Sequence, residues 1–323
     1  MEKLNDLAIV VCSCDKYKSV WTPFFTLLNK YFNPLPKDVY LLTETTEIPK
    51  GTSSKWCKNG GGVKIFYSAE KCWSKRIKEA LKQIKNEYVL FHIEDFFLQD
   101  FVKMDGLHKV MDWIRQDENI SAIRLYPFWE DFTNDWPKYR DEFFVIDRNY
   151  EERVNAQVAI WRREHLIEIL NDNESAWQFE IMASNRSRKD PYLYLGYYEP
   201  LSLKGIYPYQ FAPANGYGIT AGKWLWNNEK FFQEQGIECD FSQLGVMSEK
   251  EWTRNYKSKW RKFVRRITKL KNIIKEKRQN KEKIKLKEII NSSMIKTSFQ
   301  LLNDVEYREY SAKDLQLIDN EKR

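Results

Sequence analysis

Apolar residues in the first hundred positions come in short unbroken runs rather than in strict alternation. Val63-Lys64-Ile65-Phe66-Tyr67 reads as a third strand; Leu7-Ala8-Ile9-Val10-Val11, Val39-Tyr40-Leu41-Leu42 and Tyr88-Val89-Leu90-Phe91-His92-Ile93 are such runs. They predict strands covered on both faces, as in a parallel sheet. Between them the period changes. Trp21, Phe24, Phe25, Leu28 and Tyr31 recur at helical spacing, with Pro23 expected in the first turn, and Ile77, Leu81 and Ile84 mark one face of a helix from Ser74 to Lys85. The order reads β-α-β-β-α-β, the alternation of an α/β domain.

Further along, Leu107, Val110, Met111 and Ile114 predict a helix over Gly106–Arg115, and Ala122-Ile123-Arg124-Leu125 a strand running into the aromatic loop Tyr126-Pro127-Phe128-Trp129. Residues 155–163 read as a strand entering a helix through Leu166, Ile167, Ile169 and Leu170. Residues 173–180 open another helix, with Glu174 near its start and Glu180 about two turns in. Leu193–Tyr209, rich in Tyr and Pro, predicts short edge strands, and Asn215-Gly216-Tyr217-Gly218 a turn. The expected organisation is one α/β domain over 1–245, a basic segment over 246–290 and a polar tail over 291–323.

Composition narrows the picture. The 12 Trp, 18 Tyr and 19 Phe suit either a gripped ligand or a plain core. Trp161 and Trp177 are read as core. No run approaches ~18 apolar residues, and the N-terminus lacks the regions of a signal peptide, so a cytoplasmic chain is expected. Five scattered cysteines, without a CxxC, predict reduced thiols and no zinc site. The net charge of +7 hides an asymmetry. Residues 252–290 hold 16 Lys and Arg against 3 Glu, a local +13, which leaves −6 for everything else. That argues against a nucleic-acid-binding body and for a local electrostatic device. Tyr256, Trp260, Phe263, Val264, Ile267 and Leu270 recur at helical spacing among Lys257, Lys259, Arg261, Lys262, Arg265 and Arg266. A basic amphipathic helix of this kind suits an anionic membrane surface, with Trp260, Lys262, Phe263 and Arg266 as contacts. A helix packed on the body, or an RNA-binding segment, is the alternative.

The fourth strand ends in Glu94-Asp95 and then returns at once to Phe96-Phe97-Leu98. Carboxylates in so apolar a setting are costly unless paired, hydrogen-bonded or metal-bound. In open α/β sheets ligands sit at the carboxyl ends of strands, so Glu94 and Asp95 read as the rim of a crevice. The plainer alternative is a loop-capping pair. The turn after the first strand carries no GxGxxG and the chain no Walker sequence, so bound phosphates would rely on a metal or on side-chain cations. Gly60-Gly61-Gly62 reads as a surface loop, because no helix follows it directly.

Three places carry a family resemblance: Val10 through Tyr17 with Trp21 and Pro23-Phe24-Phe25, then His92 through Leu98, then Gln157 through Arg163 with Glu174 through Glu180. Together they span roughly residues 5–215. In this order the chain resembles a GT-A-type nucleotide-sugar glycosyltransferase, and among these the bacterial enzymes of capsular and lipopolysaccharide biosynthesis. The resemblance implies a GT-A-like, mostly parallel sheet flanked by helices and a hexosyltransferase-like, inverting reaction, with a non-catalytic sugar- or nucleotide-binding protein of the same fold as the alternative. It implies a nucleotide-sugar donor, a glycan or lipid-linked acceptor at the inner membrane face, and Mg²⁺ or Mn²⁺. Residue by residue it implies Asp95 as metal ligand and Glu94 as a second contact to metal or sugar. Cys12, Asp15, Thr43 and Glu44 would lie at the nucleoside, Lys75 or Arg76 at phosphate, and Glu180 or Glu174 would act as base. Glu94-Asp95 departs from the usual Asp-x-Asp. Neighbours on a strand point to opposite faces, so both could meet one metal only if the strand breaks there. His92 with Glu94, which share a face, is an alternative metal pair, and a satisfied core histidine the plainer reading.

Overall fold

The computed structural model describes residues 4–57, 62–128, 135–198, 205–209 and 218–254. The chain divides into two compact units, Met1–Gln210 with Tyr217–Gly245, and Phe211–Gly216 with Val246–Arg323. Trp260, Lys262, Phe263 and Arg266, with most of the basic segment, lie outside the described residues, as do Gly60, Gly61 and the turn at 215–217.

The first unit begins with β1 (Leu7–Cys12), a short 3-10 turn at Asp15–Tyr17, α1 (Lys18–Tyr31), β2 (Asp38–Thr43), α2 (Thr52–Trp56), β3 (Lys64–Tyr67), α3 (Trp73–Leu81) and β4 (Tyr88–Ile93). It continues with α4 (Met104–Gln116), β5 (Ile120–Arg124), β6 (Phe143–Val145), β7 (Ala159–Arg162), α5 (Arg163–Ile169), α6 (Ala176–Ser187) and β8 (Leu193–Tyr197). It closes with β9 (Ile219–Thr220), β10 (Lys223–Leu225) and α7 (Asn228–Gln235). Of the second unit, the strand β11 (Val246–Met247) and helical backbone over 249–254 are described.

The expected fold class is the one observed. Eight strands form one sheet in the order β3-β2-β1-β4-β7-β5-β8-β6. Four of its seven pairs are parallel: β3 with β2, β2 with β1, β1 with β4, and β5 with β8. β7 runs antiparallel between β4 and β5, and β6 antiparallel on β8.

The runs that became β1, β2 and β4 are buried, whereas β3, at the edge of the sheet, is half-buried to exposed. All six residues of β1 and the first five of β4 are enclosed. On one face Val10, Val89, Phe91, Ala122, Ala159 and Trp161 pack against Ile77 and Leu81 of α3, Leu166 of α5, and Phe179 and Ala183 of α6. On the other, Phe24 of α1 meets His92 edge-on, ring centroids 4.9 Å apart.

Several expectations need correction. The β2–β3 connection contains α2, whose Trp56 stacks on Phe25 of α1 at 5.0 Å. α1 starts earlier than its apolar stripe suggests, so Pro23 lies in the second turn, where the bond its missing N–H would make to the Ser19 carbonyl is lost. β8 is not an edge strand: it sits between β5 and β6. Trp161 is core, as expected, but Trp177 is 76% exposed. Trp161 lies 2% exposed and edge-on to Tyr194 at 5.8 Å. Replacing it with Ala removes a large ring that the surrounding sheet and helices cannot collapse to fill. The expected cost is about 3–5 kcal/mol, read as a lower urea midpoint at unchanged slope.

Candidate functional site

β2 and β3 leave β1 in one direction and β4 leaves it in the other, so the strand order reverses between β1 and β4. That is the topological switch point of an open α/β sheet, where connections diverge and open a crevice at the carboxyl ends. The residues just beyond β1, β2 and β4 are Ser13 to Tyr17, Glu44 to Thr46, and Glu94-Asp95. The sequence candidates for nucleotide and metal therefore converge here.

The β1 and β2 side is saturated with hydrogen bonds. The Asp15 carboxylate accepts from the Thr43 hydroxyl at 3.1 Å, the Thr45 N–H at 3.0 Å and the Thr45 hydroxyl at 2.8 Å. Burial would raise the Asp15 carboxyl, but donors from Thr45 and Thr46 outweigh it and hold the group well below the usual range. The Asp15 N–H donates to Glu44 Oε2 at 3.1 Å, and Arg76 Nη1 to Glu44 Oε1 at 3.0 Å. Arg76 also donates to the Ser13 carbonyl at 3.2 Å, and the Trp21 indole N–H to the Ser13 hydroxyl at 2.7 Å. Arg76 is thus buried and committed to protein partners. Lys75, the other phosphate candidate, is partly exposed and paired with Glu70 at 2.7 Å. Cys12 is enclosed in the core, where burial pushes its thiol far up.

The β4 side is the reverse. β4 ends at Ile93, and Glu94-Asp95 form a turn rather than continuing the strand. The break that both carboxylates need to face one ligand is therefore present. Glu94 is 6% exposed; burial, and then the neighbouring Asp95 charge, push it up to about 8. Burial pushes Asp95 up to about 7, and its Oδ1 is buried without a hydrogen-bond partner. Tyr17 lies within electrostatic reach of both and is pushed up to about 12, by burial first and then by Glu94. A buried oxygen without a partner is a site waiting for a donor or a cation. Two adjacent carboxylates fit one side of a hard divalent ion whose remaining ligands would be diphosphate oxygens. Among the described residues no cluster of three or more metal-ligating side chains occurs, so protein ligands alone would not complete such a site.

His92 takes no part. Its Nδ1 is 2.6 Å from the Ile93 carbonyl, which can only accept, so Nδ1 carries the proton. Nε2, 2.6 Å from the Tyr207 hydroxyl, then accepts from it. Burial lowers the ring to about 4, neutral at ordinary pH. The His92–Glu94 metal pair is disfavoured, because Nδ1 carries the proton and the Nε2 lone pair is occupied by the Tyr207 hydroxyl.

A hairpin that the sequence did not predict joins the two sides. Gly218 N–H donates to the Asp95 carbonyl at 2.9 Å, and a Cβ at Gly218 would strike the Phe97 ring. Ala221 and Gly222 both have positive φ, 51° and 79°, the pair a tight two-residue connection between β9 and β10 requires. Gly222 lies against the Lys16 ammonium, on the turn after β1. The signal in sequence was the Ala221-Gly222 pair between two short apolar stretches.

The candidate bases separate. Register places Phe91 and Arg124 both opposite Ala159, so Ala156, three residues before Ala159, lies beyond the strand ends on the same edge as Glu94. Glu180 Oε1 accepts from the Ala156 N–H at 2.9 Å. Burial pushes Glu180 up to about 7, with the Glu152 charge adding to the rise, while the Ala156 N–H and Arg124 oppose it. Burial also raises Glu152, against the pull of Arg124. Arg124 covers the Phe128 ring at 4.4 Å and donates to the Glu152 carbonyl. Sequence reasoning missed Glu152 and Arg124, which nothing in local pattern relates to Glu180. Glu174, by contrast, is locked: its carboxylate takes two bonds from Arg186, at 2.5 and 2.8 Å. Both Glu174 oxygens are occupied by Arg186, so Glu180 is the stronger base candidate.

The raised Glu180 carboxyl has a measurable consequence. Between its ordinary value near 4.5 and about 7 the native state holds a proton that the unfolded chain has lost. Stability therefore falls as pH rises through that window. Glu180→Gln keeps an acceptor for the Ala156 N–H and removes the titration. Denaturant midpoints from pH 4.5 to 7.5 are expected to fall less steeply in this variant than in the wild type.

No family model and no curated protein matches the chain. Among solved structures it is similar to residues 1–349 of S. aureus TarS, at 15% identity and a TM-score of 0.39, over 58% of this chain and 59% of that one. It is also similar to a mannosyltransferase from Pyrobaculum calidifontis in complex with GDP-Man and Mn²⁺, at 13% identity and a TM-score of 0.41, over 60% of this chain and 55% of that one. A third likeness is to a cytidylyltransferase from Leptospira borgpetersenii, at 12% identity and a TM-score of 0.38, over 60% of this chain and 76% of that one. The chain spans less than two thirds of the first two.

Proposed function

We propose that the protein is a nucleotide-sugar-dependent glycosyltransferase that adds a sugar to a glycan or lipid-linked acceptor in cell-surface polysaccharide assembly. The observation that carries the reading is the desolvated Glu94–Asp95 pair at the β1–β4 switch point, with a buried Asp95 oxygen lacking a partner. A protein keeps so costly an arrangement where a ligand discharges it.

In this reading the Asp15–Thr43–Glu44 network faces the nucleoside as a rigid acceptor surface, and Arg76 holds Glu44 in place rather than touching phosphate. Glu94 and Asp95 would hold a divalent ion at the diphosphate end of the donor. Bound there, Mg²⁺ or Mn²⁺ supplies positive charge to the leaving diphosphate. The acceptor hydroxyl oxygen attacks the anomeric carbon, the bond from that carbon to the diphosphate oxygen breaks, and the hydroxyl proton passes to Glu180. A base near neutrality suits that step. The hairpin at 218–225 limits water at the donor. The basic segment 252–290 is assigned, on its sequence, to an anionic membrane surface where lipid-linked acceptors lie.

Thermal unfolding with a panel of nucleoside diphosphates, each with and without Mn²⁺, tests the donor site. Saturation at 100 times the dissociation constant adds about 2.7 kcal/mol, a clear rise in midpoint. A rise that needs Mn²⁺ supports the reading. A rise without it keeps the transferase and removes the metal role, and no rise with any nucleotide sinks the proposal. Asp95→Asn is expected to abolish transfer, and Glu180→Gln to lower kcat by roughly 10²–10⁴-fold. Deleting 252–290 is expected to release the protein from anionic liposomes in a flotation assay; retention would refute the membrane role.

A further inference from the structure

The face of α6 that carries Glu180 continues past the backbone it packs on. Residues three and four apart on a helix are neighbours, so Ser187, Ser184, Glu180 and Trp177 form one stripe. Arg153 donates to the Ser187 carbonyl. The Ser184 hydroxyl accepts from the Val154 N–H and donates to its carbonyl, both at 3.0 Å. Glu180 accepts from the Ala156 N–H. Residues 153–156 thus run antiparallel along the stripe and end opposite Glu180. Trp177 is the next position. It stands 76% exposed and makes no ring contact among the described residues.

The backbone that carries the ring is held in place, and the ring is exposed. Ser175 and Gln178 form a reciprocal capping box around the first turn of α6. Glu174 just before it donates its N–H to the Ser74 hydroxyl at 3.0 Å and accepts the Ser74 N–H at 3.1 Å. Along the helix its neighbours one turn on are Glu180 and the partly buried Ile181. The only other large exposed apolar side chain on α6 is Met182, five residues on and on a different face. A single exposed ring does not make the continuous apolar patch a protein partner needs. It matches a sugar, whose C–H face stacks on an aromatic ring while its hydroxyls take hydrogen bonds.

We propose that Trp177 is the stacking platform of a saccharide subsite beside Glu180, and that the acceptor is a glycan gripped through the apolar face of a sugar ring. The word acceptor rests on the transferase reading; the platform itself does not.

The test is an array of immobilised neutral hexose and N-acetylhexosamine oligosaccharides, probed without donor by the full chain, Trp177→Ala and Trp177→Phe. Loss of about tenfold in glycan binding is expected for Trp177→Ala, with most binding kept by Trp177→Phe. The unfolding midpoint of Trp177→Ala, and its shift with nucleoside diphosphate, should equal those of the wild type. Unchanged glycan binding in Trp177→Ala, or no glycan bound by the wild type, overturns the proposal. So does a self-association of the wild type that Trp177→Ala abolishes, since the ring would then serve a protein contact. Loss of glycan binding in Trp177→Ala from a protein that shifts with no nucleotide would leave the platform standing and remove the transferase reading.

Discussion

Parallel pairing of β1 with β2 on one side and β4 on the other governs where the polar groups of this protein meet. β1 is enclosed on both faces, so its pairing register is dictated by burial, and a slip of one residue would turn its side chains to the wrong layer. With that register set, the turns after β1, β2 and β4 must open on one edge of the sheet, where the chain reverses its direction of travel. Asp15, Glu44 and Glu94 are 29 to 79 positions apart in sequence and come together for this reason alone.

The crevice is electrostatically lopsided. On the β1–β2 side each charge is answered: Asp15 by Thr43 and Thr45, Glu44 by Arg76 and the Asp15 N–H. These groups stay where they are whether or not a ligand arrives, which is what a preorganised recognition surface needs. On the β4 side two carboxylates share a desolvated turn, and burial raises both. Folding carries that cost because the apolar residues on either side, Phe91 before and Phe96-Phe97 after, are themselves buried and hold the turn between them. The hairpin at 218–225 locks it through the Gly218–Asp95 bond.

α6 supplies the second side of the site. Its first turn is held by the Ser175–Gln178 box and its preceding residue by Ser74 and Arg186. Glu174 and Glu180, only six residues apart, therefore end in opposite roles. One is consumed in an ion pair that holds the helix, and the other faces the carboxyl edge with a raised affinity for a proton. Spacing along the helix could not separate them, because what differs is the partner each meets across the fold.

The sequence by itself determined the α/β class, the four parallel-type strands of the first hundred residues, and the carboxylate pair at the end of β4. Unbroken apolar runs are a direct record of two-sided burial, and a charge next to them stands out against that background. It also identified His92 and Trp161 as core residues. Only the tertiary structure decided the antiparallel insertion of β7 and the interior position of β8. It alone committed Arg76 to Glu44 rather than to phosphate, joined Glu180 to Arg124 and Glu152, and left Trp177 exposed. Each of these depends on contacts between segments far apart in the chain, and local periodicity carries no trace of them. Trp177 shows the limit most plainly: its helix has an apolar side, but whether a tryptophan near the helix end is buried depends on how far the facing segment runs, and residues 153–156 stop one turn short.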